Sequence, residues 1–491
     1  MQNVIIPMAG KGHRFIKAGY KTYKPFLPLS KKENIIQNIC NSFPKNTKKI
    51  FIIDKKLNNN YLKILKQIPN SKIIKVKSHK LGPGYTLLLA KKELQDLKKI
   101  FVSYSDIVWK WNKKKLNLKN NTIFCYKKYH PYTKDNNNYA FCKVKNNNLI
   151  KLKEKSSFTN NWINEPLSIG LFYYINSKDL FDSLDVLKKQ NIKTNNEYFP
   201  SEGFNFLKNS KIEYVDTFAH IGKPNYYEEF KDRKNFFLNK KKFISRIKNF
   251  YLADKIIIPA AGNSIRFKKE KIFTPKHLYF IKELNFKLLD YINIYLPKIR
   301  KNLVTFKNKL VKELSSKKYK IHFLDNVTKG QADTIFKQLK DFKKNESFFI
   351  NSCDVFSTFD FKNYSKLVKK SDIIVFVSNK SFENLPSNSY TWVEFTNNKL
   401  KNVFIKNKPK KNLKILTGNF YFKNKTIYNN CFSYFFKKKF KEIFIDDLIK
   451  VSIKLKYNVN VIEDESYINL GTPDLIKDFI FWKKFFRNEY K

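Results

Sequence analysis

Two tandem α/β domains are the fold class this sequence predicts, and three observations predict it. Nearly the same segment occurs twice: Val4-Ile5-Ile6-Pro7-Met8-Ala9-Gly10-Lys11-Gly12-His13-Arg14-Phe15 near the N-terminus, and Ile256-Ile257-Ile258-Pro259-Ala260-Ala261-Gly262-Asn263-Ser264-Ile265-Arg266-Phe267 midway. Pro7/Pro259, Gly10/Gly262, Arg14/Arg266 and Lys24/Lys276 are each 252 positions apart, and Gly84/Gly330, Asp106/Asp354, Lys155/Lys406, Gly170/Gly418 and Gly222/Gly471 follow at 246 to 251. Short β-branched and aromatic runs alternate with Lys/Leu/Ile-rich stretches, the pattern of βαβ units that build a mixed, mainly parallel sheet between two helical layers. A chain of 491 residues accommodates two such domains, each large enough to bury a full core.

In the first half, strands are expected at Val4–Ile6, Lys49–Ile53, Lys72–Val76, Ile100–Tyr104 and Thr122–Tyr126. Apolar residues recurring at three and four place helices over Ile35–Ser42, Tyr61–Gln67 and Thr86–Leu97. The second half repeats the pattern, with strands near Lys255–Ile258, Lys320–Leu324, Phe348–Asn351 and Ile373–Val377. These elements define a first domain over 1–230, a connector over 231–253 whose apolar spacing suggests a helix closing the first domain, and a second domain over 254–491. Asn58–Asn60, Asn136–Asn138 and Asn146–Asn148 read as turns or loop tips.

Composition excludes less than it first suggests. Lys+Arg 98 against Asp+Glu 41 gives a net charge of +57, but the excess is nearly all Lys and is spread along the chain. A nucleic-acid binder gathers its charge into a stripe, so no specific nucleic-acid partner is expected. The field still favours phosphorylated ligands without specifying them. Five cysteines without CxxC spacing argue against a disulfide framework or a structural zinc site and fit a reducing cytoplasm. No basic n-region with a cleavage site opens the chain and no apolar run approaches the ~18 residues of a membrane span, so neither export nor membrane insertion is expected. Oligomeric state is not readable.

The chemistry sits in the repeated segment. A strand running into Gly10-Lys11-Gly12 makes a tight turn whose backbone N–H groups can face a phosphate chain. Arg14 follows at once, and Lys24 stands in Tyr23-Lys24-Pro25-Phe26-Leu27-Pro28-Leu29, so two cations flank one glycine loop. Asp106 ends the strand Phe101-Val102-Ser103-Tyr104-Ser105, where a carboxylate emerges over the ligand crevice of a parallel sheet. A capping Asp in an ordinary loop is the simpler alternative.

On these residues the sequence resembles the sugar-1-phosphate nucleotidyltransferases, which join an NTP to a sugar 1-phosphate and release pyrophosphate, supplying NDP-sugars for surface polysaccharide or lipopolysaccharide. The resemblance covers nearly all of both halves and implies two tandem Rossmann-like nucleotide-diphospho-sugar transferase domains. It implies that Ala9, Gly10, Gly12 and Gly84 face the nucleotide, that Arg14, Lys24 and Asp106 are catalytic, and that Asp106 holds Mg²⁺. Glu154, Lys155 and Gly170 would grip the sugar phosphate. In the second copy the matching positions are Gly262, Arg266, Lys276, Gly330 and Asp354, the last a metal carboxylate.

Departures from the family pattern are specific. His220 and Asn469 precede Gly222 and Gly471 where many relatives carry a second metal aspartate; His220 is a candidate metal or phosphate ligand and, more simply, a hydrogen-bonding histidine. Ser264 replaces the second loop glycine, and Ile405-Lys406 stands where the first copy has Glu154-Lys155. The first copy is therefore the expected catalyst. Two other readings stay open, a nucleotide-sugar-dependent glycosyltransferase, disfavoured by the lack of Asp-x-Asp after Ile100–Tyr104, and a non-catalytic nucleotide or sugar-phosphate binder.

Overall fold

The computed structural model describes every residue except 1, 11, 31, 112–117, 133–137, 379–389, 408–412, 437–441 and 488–491. Lys11 of the glycine loop and two of the expected turn residues, Asn136 and Asn137, lie outside the described residues. The chain divides into two compact units, Met1–Phe230 and Lys231–Lys491. No helix among the described residues is long and apolar enough to cross a membrane.

The strands of the first unit are β1 (Asn3–Met8), β2 (Lys48–Asp54), β3 (Ser71–Val76), β4 (Lys98–Ser103), β5 (Ile107–Lys110), β6 (Thr122–Tyr126), β7 (Phe141–Lys145), β8 (Asn148–Lys153), β9 (Leu167–Asn176), β10 (Lys211–Tyr214) and β11 (Thr217–His220). Nine form one mixed sheet in the order β3-β2-β1-β4-β9-β6-β10-β8-β7, while β5 and β11 pair separately. β1 runs parallel to β2 and β4, and β9 enters antiparallel between β4 and β6. Val4, Ile5 and Ile6 are all fully buried, so both faces of the sheet are covered. On one face Ile5 clusters with Leu87 of the helix Gly82–Leu89 and Leu184 of the helix Ser177–Lys189. On the other, Phe43, just beyond the helix Ile35–Asn41, meets Phe101 edge-on at 5.2 Å. Asn146 and Asn147, at φ +49° and +61°, make the tight turn that joins β7 to β8.

The second unit contains β12 (Lys255–Pro259), β13 (Phe280–Ile281), β14 (Phe286–Lys287), β15 (Lys301–Phe306), β16 (Tyr319–Leu324), β17 (Phe348–Asn351), β18 (Val355–Thr358), β19 (Ile373–Ser378), β20 (Thr391–Thr396), β21 (Lys399–Ile405), β22 (Lys414–Phe422), β23 (Val459–Glu463) and β24 (Ser466–Asn469). Its nine-stranded sheet runs β16-β15-β12-β17-β22-β19-β23-β21-β20, the same order as in the first unit, position for position. β18 pairs with β24 as β5 pairs with β11.

Residues 231–253 differ from the expectation of a connector closing the first domain. Up to Ile247 they lie in the helix Pro224–Ile247, and from Lys231 onward they belong to the second unit. Aromatic packing is the reason: Phe237 stacks on Phe479 at 5.7 Å and Phe243 on Phe361 at 5.0 Å, and burying rings of this size outweighs any preference for the preceding domain.

Candidate active site

The glycine loop follows directly from β1. Gly12 sits at φ +64°, a conformation that lets the chain turn from strand into the helix His13–Lys17 without the steric cost a side chain would incur. The Tyr23 hydroxyl lies 2.5 Å from the Met8 carbonyl oxygen and 2.6 Å from that of Gly10, so one phenol pins both ends of the turn. A Tyr23→Phe variant is expected to lose about 1 kcal/mol of stability and to weaken nucleotide affinity several-fold, read by thermal denaturation and by titration with an NTP.

Lys24 and Asp106, 82 residues apart, meet beside this loop: Lys24 Nζ donates to Asp106 Oδ2 at 2.9 Å. The β5–β11 ladder anchors the backbone that carries the carboxylate, since Ile221 N–H donates to the Asp106 carbonyl at 2.9 Å and His220 pairs with Ile107. His220 Nε2 comes within 3.8 Å of Asp106 Oδ2. Burial works to raise the Asp106 pKa, but Lys24 and His220 outweigh it and hold the carboxyl well below its usual range. Gly222 makes this geometry feasible, because a Cβ there would stand 2.4 Å from both Asp106 Oδ2 and His220 Nε2.

Gly10, Gly12, Arg14, Lys24, Asp106, Glu154, Lys155, Gly170 and His220 all line one cavity of about 620 Å³, large enough for a small-molecule ligand. Arg14 is exposed on its wall. Glu154 accepts a hydrogen bond of 2.5 Å from Ser201 Oγ, and burial, opposed by that bond, pushes its carboxyl up to about 7. Lys155, at φ +52°, carries its Nζ over the Phe199 ring at 4.7 Å. Gly170 is needed because its φ is +83° and a Cβ would strike the Tyr104 ring at 2.4 Å.

Two sequence candidates lie elsewhere. Ala9 is buried in the core cluster beneath the loop, and Gly84 packs against the backbone of Tyr198; neither lines the cavity, whereas Gly82 does. The repeat register explains the second displacement. Gly82 and Gly330 are the true counterparts, at φ +82° and +107°, each facing one carbonyl oxygen, of Tyr198 and Ile443 respectively. Gly84 corresponds to Ala332, for both donate their N–H to those same carbonyls, at 2.8 and 3.2 Å. The pairing of Gly84 with Gly330 is thus corrected by two residues.

In the second unit Lys276 Nζ donates to Asp354 Oδ2 at 2.6 Å, repeating the first unit's pair. Burial would lower the Lys276 pKa, but the adjacent Asp354 carboxylate raises it above the usual range. Ser264 takes the left-handed position of Gly12 at φ +52°, a conformation costing about 1 kcal/mol without glycine, and its Oγ accepts the Lys276 N–H at 3.0 Å. Arg266 is exposed on the helix Ile265–Lys269, and a Cβ at Gly262 would meet no atom within 4 Å. Asn469 replaces His220 and accepts the Gly471 N–H at 2.8 Å.

Sequence reasoning missed Tyr104, Ser201 and Phe199 as cavity residues, and within Gly82-Pro83-Gly84 it settled on the wrong glycine. Gly82 was readable from Gly82-Pro83-Gly84, since proline favours a helix start and the residue before it an extended or turn conformation. Ser201 carries no local signal, being 47 residues from its partner Glu154.

Glu154 gives the site a pH signature. Its folded pKa of about 7 exceeds the ordinary 4.5, so the folded chain holds a proton that the unfolded chain releases, and stability falls as pH rises from about 4.5 to 7. Glu154→Gln should remove that fall, up to about 3 kcal/mol, seen as urea midpoints that differ less between pH 5 and pH 8 than those of the native chain.

No protein-family model matches the sequence, and a search of curated proteins finds no match. Solved structures do show a likeness. The nucleoside-diphosphate-sugar pyrophosphorylase from Vibrio cholerae RC9 is 18% identical over 46% of this chain and 99% of its own, with a TM-score of 0.38. The inositol-1-phosphate CTP transferase from T. maritima is 16% identical over 48% and 96%, at 0.38. A UTP-bound UGPase from Acinetobacter baumannii is 14% identical over 50% and 100%, at 0.39. Each likeness therefore takes in about half of this chain and nearly all of the solved one.

Proposed function

We propose that this chain is a nucleotidyltransferase that condenses an NTP with a sugar 1-phosphate, or a similar phosphorylated metabolite, and releases pyrophosphate. The observation that carries this reading is the Lys24–Asp106 pair held at 2.9 Å beside a glycine loop, in a cavity that also presents Arg14 and the Glu154–Lys155 element. In such a reaction a phosphate oxygen attacks the α-phosphorus in line with the departing pyrophosphate. The nucleophile is already ionised, so no general base is required; the obstacle is repulsion between two polyanions. Arg14 and Lys24 offset that repulsion, the backbone N–H groups of the loop orient the phosphate chain, and Glu154 accepts hydroxyls of the metabolite.

A divalent cation fits one part of this donor set. Among the described residues no group of three or more His, Cys, Asp or Glu side chains gathers to cage an ion, so a resident all-protein metal site is not supported. Asp106 suits Mg²⁺, which keeps most of its shell as water and phosphate oxygens and needs only one or two carboxylates. Bound there with the nucleotide, Mg²⁺ would neutralise phosphate charge. His220, its Nδ1 buried without a partner among the described residues, acts in this reading as a neighbour that orients Asp106.

The first unit, 1–230, is the proposed catalyst, and the matching strand order and paired Lys–Asp contacts support descent of both units from one duplicated module. A pyrophosphate-release screen of the four common NTPs plus dTTP against a panel of sugar 1-phosphates tests the activity on the full chain. Nucleotide binding without pyrophosphate release under any combination would favour the non-catalytic binder instead.

A further inference from the structure

The second unit lacks a counterpart of Glu154, yet the carboxylate has not disappeared. Backbone contacts set the two units' positions against each other. Phe141 faces Lys153 in the β7–β8 hairpin as Trp392 faces Phe404 in β20–β21, which sets Ala140, Glu154 and Lys155 against Thr391, Ile405 and Lys406. The shared contacts of Tyr198 and Ile443 with the helix-starting residues set Phe199 and Ser201 against Phe444 and Asp446. Lys155 and Lys406 confirm the register independently: both adopt positive φ, +52° and +50°, and each carries its Nζ over the matched ring, Phe199 at 4.7 Å and Phe444 at 3.9 Å.

In this frame three substitutions act together. Glu154, at the end of its strand, bonds to Ser201 on the short helix Pro200–Gly203. In the second unit the strand position is apolar Ile405, and the acid is Asp446 on the helix Ile445–Lys454, with Thr391 at the start of β20 and the Lys406 charge beside it. Acid and hydroxyl have exchanged walls. A site losing its ligand would need no such exchange, because an apolar residue at 446 would avoid burying a carboxylate. Burial pushes Asp446 up to about 6, as it pushes Glu154 up to about 7. The wall differs elsewhere too: where Gly170 abuts the Tyr104 ring, its counterpart Gly418 abuts the small Ser352 side chain, with Val355 beyond it.

We infer that the second unit has its own site for a phosphorylated polyhydroxy metabolite, in which Asp446 is the residue that selects the ligand's hydroxyl pattern, and that this metabolite differs from the one held by the first unit. The inference rests on the proposed nucleotidyltransferase reading. Asp446 approaches the ligand from the helix side where Glu154 approaches from the strand side, so hydroxyls of different orientation are accepted, and Ser352 leaves room that Tyr104 fills.

Isothermal titration of the full chain with glucose, mannose, galactose and N-acetylglucosamine 1-phosphates, in the native, Glu154→Gln and Asp446→Asn forms, tests it. The expected result is two ligand preferences: one weakened at least about tenfold by Glu154→Gln alone, the other by Asp446→Asn alone. If Asp446→Asn leaves every dissociation constant unchanged, the inference is overturned. Should Asp446→Asn disturb folding, the combined exchange Thr391→Ala, Ile405→Glu and Asp446→Ser answers the same question, since it should convert the second site to the first site's preference; an unconverted preference also overturns it. Pyrophosphate release by the native chain is measured separately, so failure of the enzymatic reading is distinguishable from failure at Asp446.

Discussion

Asp106→Asn is expected to lower pyrophosphate release by about a thousandfold or more while leaving the first unit folded. A loss of that size corresponds to about 4 kcal/mol of transition-state stabilisation. The amide keeps the shape of the side chain, and the backbone bond from Ile221 N–H to the Asp106 carbonyl does not depend on its charge. What disappears is the anion that holds Lys24 Nζ at 2.9 Å and a charge suited to a Mg²⁺–nucleotide complex. Arg14→Ala should reach a comparable loss by a different route, because Arg14 is exposed on the cavity wall and can reach a departing pyrophosphate. Steady-state release assays on both variants, with circular dichroism to confirm folding, check the prediction; near-native rates in both would sink the assignment of the site. Asp354→Asn and Arg266→Ala pose the same question to the second unit, and an unchanged total rate would confine that unit to binding or to a structural role.

The parts of this site legible in the sequence are those encoded by short runs. A strand, two small residues and a cation within Val4–Arg14 dictate a turn and a flanking charge, and the sheet order then delivers Asp106 to the same edge. The duplicate made these signals stronger, since Arg266, Lys276 and Asp354 repeat them. Legibility failed where contacts are long-range. Matching glycine to glycine put Gly84 with Gly330, but backbone φ shows that Gly82 is the residue under the same constraint. Ile405 opposite Glu154 reads as a loss only until Asp446, 41 positions further on, is matched to Ser201, the partner of Glu154. β9, the ten-residue strand between β4 and β6, was hidden for a related reason: its burial on both faces leaves no period-two alternation in Leu167–Asn176.

Gly222→Ala should also cut turnover severely, and for a purely geometric reason. The added Cβ would need to occupy space 2.4 Å from Asp106 Oδ2 and 2.4 Å from His220 Nε2. The β5–β11 ladder, with Ile107 opposite His220, holds the backbone on either side, so the side chains must give way. The carboxylate must therefore rotate away from Lys24, separating the ion pair and displacing any phosphate that the pair positions. A displacement of about 1 Å at reacting groups costs roughly a hundredfold in rate, and the overpacking should remove about 1–3 kcal/mol of stability. Gly10→Ala is the matched control. A Cβ at Gly10 meets no atom within 4 Å, so the melting temperature should stay unchanged, while the methyl group projects from the loop into ligand space and raises the NTP KM. The two alanines thus separate packing from ligand approach: the first lowers both stability and turnover, the second only affinity. A Gly222→Ala chain with a native melting temperature and native rate would show that Asp106 has freedom to move, and the tight Lys24–Asp106–His220 arrangement would lose its place in the mechanism.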